Sequence, residues 1–301
     1  MIKVKFIIHG GSSFLGKHFV DLLDEKKEKV IVISRNSSKI KFESKNIYFF
    51  RYSNSINEIK LEDFDLTESV FYEFAWFGVY GNERNDTQQF SVNVPIFISG
   101  IEFANTNKCK HWVGIGSQAE YGNLNKKIDE SQKCLPTTLY GKSKLYLSQI
   151  TKDICEMYSI NHTWLRLFSV YGPDDNHEWF IQYLIKRMIS SEDINVTKCE
   201  QFWDYLYIDD ISRVLFKISP YRGLGVTNLS SNNPIQIKDL VEILLLKTNS
   251  DSKVNYGAVP YRDDQVMFMC GDNTKLKKSL NWEPLISHEE GLNKTILNIK
   301  K

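Results

Sequence analysis

Ile2-Lys3-Val4-Lys5-Phe6-Ile7-Ile8-His9-Gly10-Gly11-Ser12-Ser13-Phe14-Leu15-Gly16 is the stretch that decides the fold. Residues 2–8 read as a strand, and the turn after them is built from glycine and serine. Leu15, Phe19, Leu22 and Leu23 then recur at helical spacing. A turn of this kind between strand and helix lets backbone N–H groups and the positive helix end approach a pyrophosphate. Gly10 suits the tight turn and Gly16 the close packing of helix on strand. Gly10, Ser12, Ser13, Phe14, Leu15 and Gly16 are therefore the candidate cofactor-binding turn.

Outward from this turn the pattern repeats. Val30-Ile31-Val32-Ile33 is a short apolar run suited to a buried parallel strand. Further strands are expected at 47–50, 70–74, 111–115 and 163–168, with helices near 86–106 and 138–158. This alternation predicts an α/β protein with a doubly wound parallel (Rossmann) sheet. After about residue 172 the pattern loosens. Short helices (178–190, 209–218, 236–247, 286–299) alternate with loops carrying Pro220, Gly223, Gly225, Pro234, Pro260 and Pro284. The expected domains are 1–172, which binds a dinucleotide, and 173–301. The latter is mainly a smaller α/β substrate lobe, with some segments returning to the first domain.

Composition narrows the function classes. The 301 residues are 42% apolar and 25% charged, with a net charge of +1. So even a balance implies no general affinity for nucleic acid or anionic membrane. The cysteines at 109, 134, 155, 199 and 270 contain no C-x-x-C pair, and the six histidines are scattered. Neither a metal site nor a disulfide framework is indicated, and free thiols in a reducing cytoplasm fit best. The N-terminal run is too short and too alternating for a signal peptide. No stretch approaches the roughly 18–20 uninterrupted apolar residues of a membrane helix.

Three further segments carry chemistry. The second strand ends Ser34-Arg35-Asn36-Ser37-Ser38-Lys39, without the carboxylate that usually holds an NAD ribose. Arg35, with Ser34, Ser37 and Lys39 nearby, could instead take a 2′-phosphate, which favours NADP(H) over NAD(H). A strand near 111–115 runs into Gly116-Ser117-Gln118-Ala119-Glu120-Tyr121-Gly122, placing the Ser117 hydroxyl where ligands bind in such sheets. In Leu139-Tyr140-Gly141-Lys142-Ser143-Lys144, Tyr140 and Lys144 share one helix face. An ammonium beside the phenol would favour its ionised form and make Tyr140 usable for proton transfer.

In order and at familiar separations, Gly10 to Gly16, Ser117 before Tyr121-Gly122, the 140–144 segment and Leu165-Arg166-Leu167-Phe168-Ser169-Val170-Tyr171-Gly172-Pro173 form a set. The set resembles the extended short-chain dehydrogenases/reductases, the nucleotide-sugar epimerase, dehydratase and reductase family. The resemblance continues through Trp203-Asp204-Tyr205, Asn228-Leu229-Ser230, Tyr261-Arg262-Asp263-Asp264 and Asn281-Trp282-Glu283-Pro284, and so spans the chain. It implies that Tyr140 is the catalytic acid/base and that Lys144 lowers its pKa and binds the nicotinamide ribose. It implies that Ser117 orients the reacting oxygen, and that Asn93 supports the lysine. Ala75 joins the cofactor set. Gln118, Ser169, Trp203 and Arg262 join Ser117 toward the sugar nucleotide, with Arg262 on its diphosphate. Three positions depart from the family pattern: Ser13 for a glycine, Trp203 for an arginine and Ser169 for an asparagine.

The resemblance also sorts reactions. Dehydratases of this family carry an Asp-Glu pair where Gln118 and Ala119 stand, and the fucose-type epimerase/reductases a cysteine where Ala119 stands. Hydride transfer at a carbonyl is left. The expected function is NADPH-dependent reduction of the C4 keto group of a nucleotide-linked 4-keto-6-deoxy or 3,6-dideoxy hexose, for polysaccharide or O-antigen sugars. A 4-epimerase or 4-dehydrogenase with tightly bound cofactor is the alternative, and a non-catalytic dinucleotide-sensing scaffold a further one. A homodimer through the helices at 86–106 and 138–158 is expected, with no nucleic-acid or membrane partner.

Overall fold

One sheet gathers seven strands: β1 (Phe6–His9), β2 (Val30–Ser34), β3 (Ile47–Arg51), β4 (Val70–Glu73), β5 (His111–Ser117), β6 (Asn161–Leu167) and β7 (Gly225–Leu229). The structure is a computed structural model that describes residues 1–35, 44–176, 178–220 and 223–299. Across the sheet the order is β7-β6-β5-β4-β1-β2-β3, and from β6 to β3 every neighbouring pair runs parallel. All residues of β1, β2, β4 and β5 are buried, the pattern of strands covered on both faces. The chain order reverses between β1 and β4. Such a switch point opens a crevice at the carboxyl ends of the strands, where ligands bind in open α/β sheets.

The helices α1 (Phe14–Glu25), α2 (Asn93–Thr106) and α3 (Leu139–Met157) belong to the same part of the chain. Helix α1 buries Gly16, Phe19, Val20 and Leu23, one face at helical spacing. The aromatic core includes Phe71, Phe97, Phe103, Trp112 and Trp164.

Two elements differ from the sequence-based reading. The expected strand 2–8 is split: Ile2–Lys3 pairs with Phe64–Asp65, and only Phe6–His9 enters the main sheet. Lysines at 3 and 5 cannot continue a strand covered on both faces. The expected helix 86–106 is broken at Val92 into Gln88–Ser91 and α2. Pro95 has no N–H to give the carbonyl four residues back, so the helix restarts there.

The chain forms two compact units: Met1–Gly122 with Lys133–Leu167 and Ser212–Thr227, and Asn123–Gln132 with Phe168–Ile211 and Asn228–Lys301. In the second unit Ser169–Tyr171 pairs with Tyr205–Tyr207, and Lys126–Ile128 with Met269–Gly271. It holds Asp204, a fully buried carboxylate. Asp204 accepts from the backbone of Ser231, Asn232 and Gly271 at 2.8–3.2 Å, and from the Ser231 hydroxyl. Burial pushes its pKa up, and these four donors oppose that rise.

Candidate active site

The crevice begins at the turn after β1. Gly10 has φ +79°, and a Cβ there would lie 2.5 Å from the Ala75 nitrogen. The backbones at the ends of β1 and β4 thus approach as only glycine permits. A Cβ on Gly16 would lie 2.5 Å from the Gly10 carbonyl oxygen. Ser13 caps α1, its Oγ accepting from the Gly16 N–H at 3.1 Å. The Ser12 and Ser34 hydroxyls meet at 3.0 Å and tie the turn to β2. Phe14, the first residue of α1, sets its ring edge-on to His18, with Leu15 next to it half-buried. The first turn of α1 holds no acidic residue, so the dipole end stays open to an anion. This cradle, too close for a side chain at Gly10 and Gly16 and without an acid in the helix's first turn, fits a dinucleotide pyrophosphate. Arg35 is exposed at the end of β2. Ser37 and Lys39 lie outside the described residues.

A hydrogen-bonded network that the sequence reading missed lies below this turn. Glu73, fully buried at the end of β4, accepts from the Ala75 N–H at 2.9 Å and shares a 2.8 Å hydrogen bond with His9 Nδ1. His9 Nε2 is 2.8 Å from the Tyr52 hydroxyl. Burial pushes Glu73 up, opposed by His9, and pushes Tyr52 up to about 12. Glu73 thereby holds the Ala75 backbone that faces Gly10.

Ser117, Tyr140 and Lys144 come together in one buried cluster, with relative exposures of 8%, 9% and 4%. Strand β5 delivers Ser117 at its end and α3 presents Tyr140 and Lys144 one turn apart. The Ser117 hydroxyl stands close enough to Tyr140 to favour the ionised phenol. Burial pushes the Tyr140 phenol up, while Arg84 and Ser117 pull it down and Glu120 adds to the rise.

Lys144 departs from expectation. Its Nζ donates to the Ile115 carbonyl at 2.6 Å and sits 3.3 Å from the centre of the Trp76 ring, against 5.8 Å from that of Tyr140. The cation nearest the Tyr140 ring is Arg84, 4.4 Å from its centre. Asn93 does not bond the lysine either. Its amide holds the Phe77 N–H and carbonyl and the Gln89 carbonyl, which fixes the segment leading to Arg84.

Ser117 is itself held from below. Its Oγ accepts from the Ala119 N–H, and Glu120 reaches back to the Ser117 N–H at 2.8 Å. The same Glu120 oxygen accepts from Trp164 Nε1 at 2.9 Å, and the other from Arg166 Nε at 2.7 Å. Gln118 stands half-buried in the turn 118–120. In the second unit, Ser169 and Trp203 meet through a 2.5 Å hydrogen bond from the indole to the hydroxyl. Arg262 is exposed on another segment of that unit. Among the described residues no group of histidine, cysteine, aspartate and glutamate is placed to hold a metal ion, and no helix is long and apolar enough to cross a membrane.

Burial sets the charge of Lys144. Desolvation draws its pKa from 10.5 down to about 7, against the pull of Glu120 and Glu73. Folding therefore disfavours the ammonium, a cost complete below pH 7 that fades as the pH climbs toward 10.5. Lys144→Met should then melt above the parent at pH 6, by roughly 2–4 °C for each kcal/mol gained. The gain should narrow toward pH 10. A lower melting temperature at pH 6 would contradict this account.

The model of the NAD dependent epimerase/dehydratase family matches residues 6–224, from β1 to the edge of β7. The chain belongs to this family. A curated relative and solved structures match it over nearly its whole length. CDP-abequose synthase of Salmonella muenchen is 27% identical, over 98% of each chain. A UDP-N-acetylglucosamine 4-epimerase from Methanobrevibacter ruminantium M1, solved with UDP-N-acetylmuramic acid, superposes with a TM-score of 0.86. It is 22% identical, with 100% of this chain and 99% of that one covered. The UDP-glucose 4-epimerase of Thermus thermophilus, solved with NAD, gives a TM-score of 0.85 at 18% identity over 99% of each.

Proposed function

We propose that this member of the family reduces the C4 keto group of a nucleotide-linked 4-keto-6-deoxy or 3,6-dideoxy hexose with NADPH. One observation carries the choice of reaction. Elimination of water from a sugar needs a free acid and a free base beside Ser117. The turn 118–120 offers one carboxylate, Glu120, and both of its oxygens are taken by Ser117, Trp164 and Arg166. Hydride transfer needs only the Ser117, Tyr140 and Lys144 cluster. The likeness to CDP-abequose synthase supports the sugar class. Arg35, where a carboxylate would hold the ribose of NAD, supports NADPH.

The cradle of Gly10, Ser12, Ser13, Phe14, Leu15 and Gly16, with Ala75 beside it, holds the dinucleotide. Ser34 and Arg35 hold its 2′-phosphate. When bound, it supplies the hydride to C4. The Ser117 hydroxyl holds the carbonyl oxygen, and the Tyr140 O–H bond breaks as its proton passes to that oxygen. Ketone becomes alcohol and phenol becomes phenolate until solvent returns the proton, and Lys144, one helical turn from Tyr140, holds the nicotinamide ribose. Gln118, Ser169, Trp203 and Arg262 contact the sugar nucleotide, and the protein works as a homodimer through α2 and α3.

A panel of CDP-, dTDP-, GDP- and UDP-linked 4-keto-6-deoxyhexoses with NADPH tests this, followed by absorbance at 340 nm and product stereochemistry. Consumption of NADPH with one of them is expected. Stoichiometric NAD in the purified protein, with 4-epimer interconversion and no added cofactor, would replace the reductase by a 4-epimerase.

A further inference from the structure

We propose that Arg84 is a positioning residue for the proton transfer, its guanidinium lying over the Tyr140 ring to stabilise the phenolate. The inference rests on the reading of Tyr140 as proton donor and adds a residue to it. Arg84 belongs to the 3₁₀ turn Gly81–Asn85 and stands 4.4 Å from the ring centre. A guanidinium stays charged throughout the working range, and over an aromatic face it is attracted even by the neutral ring. The attraction grows when the ring carries a negative charge. It therefore acts more strongly on the product of proton release than on the phenol, as transition-state stabilisation requires.

The placement is built. Upstream of Arg84, Gln89 Nε2 donates to the Gly78 carbonyl and, at 2.9 Å, to the Glu83 carbonyl. Asn93 clamps Phe77 from both sides. Downstream, Asn85 Oδ1 accepts from the N–H of Leu139, the first residue of α3, at 3.1 Å. The loop that carries the guanidinium is thus pinned to the helix that carries the phenol, one residue from each. Trp76 packs on the same phenol, its ring edge-on to Tyr140 at 5.7 Å and 83°.

The groups that face Tyr140 divide the work. Arg84 comes from the 3₁₀ turn, Ser117 from β5, Glu120 from the turn after it and Lys144 from α3 itself. Glu120 opposes ionisation of the phenol while Arg84 and Ser117 favour it. Lys144 is turned to Ile115 and Trp76, and burial leaves it only partly charged near neutrality. Arg84 is the permanent cation of the set.

Arg84→Gln and Arg84→Lys test the proposal, each with 3,5-difluorotyrosine at position 140 so that fluorine NMR follows this one phenol among 15 tyrosines. Loss of the cation should move the titration of residue 140 upward by about one pH unit. The alkaline limb of the pH–rate profile should move the same way. In the Gln variant kcat should fall on the order of tenfold with KM held, and Lys should recover most of both. An unmoved titration in the Gln variant would overturn the proposal. So would a raised KM with kcat intact, since Arg84 would then be binding substrate. Failure of the underlying reading is seen separately, as full turnover in Tyr140→Phe.

Discussion

Tyr140→Phe should lower kcat/KM by about 10²–10⁴-fold while leaving the fold and the dinucleotide affinity in place. The reason is local. The substitution removes one oxygen from a side chain that is 9% exposed, and the ring keeps its packing against Trp76 and Arg84. No cavity opens. What goes is the proton that must reach the carbonyl oxygen as hydride arrives. Ser117 still offers a hydrogen bond to that oxygen, and the dinucleotide cradle around Gly10 is untouched, so some turnover survives through solvent protons. The effect should fall on kcat with KM little changed, the signature of an interaction made only in the transition state. Single-turnover kinetics with NADPH, beside fluorescence titration of the cofactor, measures both quantities. Unchanged turnover with normal binding would remove Tyr140 from the chemistry and favour a dinucleotide-sensing scaffold.

The parts legible in the sequence were those fixed by local rules. Gly10 and Gly16 announced the turn because backbone approach there excludes a side chain, and the structure places Gly10 against Ala75 for that reason. The apolar run at 30–33 announced a buried parallel strand because a sheet covered on both faces has no polar side. Tyr140 and Lys144 shared a face by helical arithmetic, yet spacing does not say where a lysine ends. Its four-carbon chain carried the ammonium to the Ile115 carbonyl and the Trp76 ring. The cation over Tyr140 comes instead from Arg84, far upstream in the chain, in a turn with no periodicity to read. No local rule reaches that far. Two other missed groups did leave signals. Ser117 and Glu120 stand at capping-box spacing, and the box is formed. Arg166 stands between Leu165 and Leu167 in a strand, where a charge needs a partner.

That partner makes the largest stability prediction. Glu120→Gln should destabilise the protein by about 3–5 kcal/mol. The amide keeps an acceptor for the Ser117 N–H and Trp164 Nε1, but sets its NH₂ against Arg166 Nε, where a carboxylate oxygen now lies at 2.7 Å. Two donors then face each other, and a guanidinium with 6% side-chain exposure loses its counter-charge. Adding Arg166→Met removes that charge, and the pair Glu120→Gln with Arg166→Met should regain most of the loss, because a buried ion pair replaced as a whole is often close to neutral. Activity separates the two jobs of Glu120. In the Gln–Met pair the Ser117 N–H stays held, and turnover should stay near the parent. Glu120→Leu with Arg166→Met has no acceptor for that N–H, so Ser117 loses its support and turnover should fall by roughly tenfold or more. Urea denaturation and steady-state kinetics on the three variants decide it. A Glu120→Gln protein as stable as the parent would show that Arg166 does not depend on this carboxylate, and equal turnover in the Gln–Met and Leu–Met pairs would show that Ser117 does not.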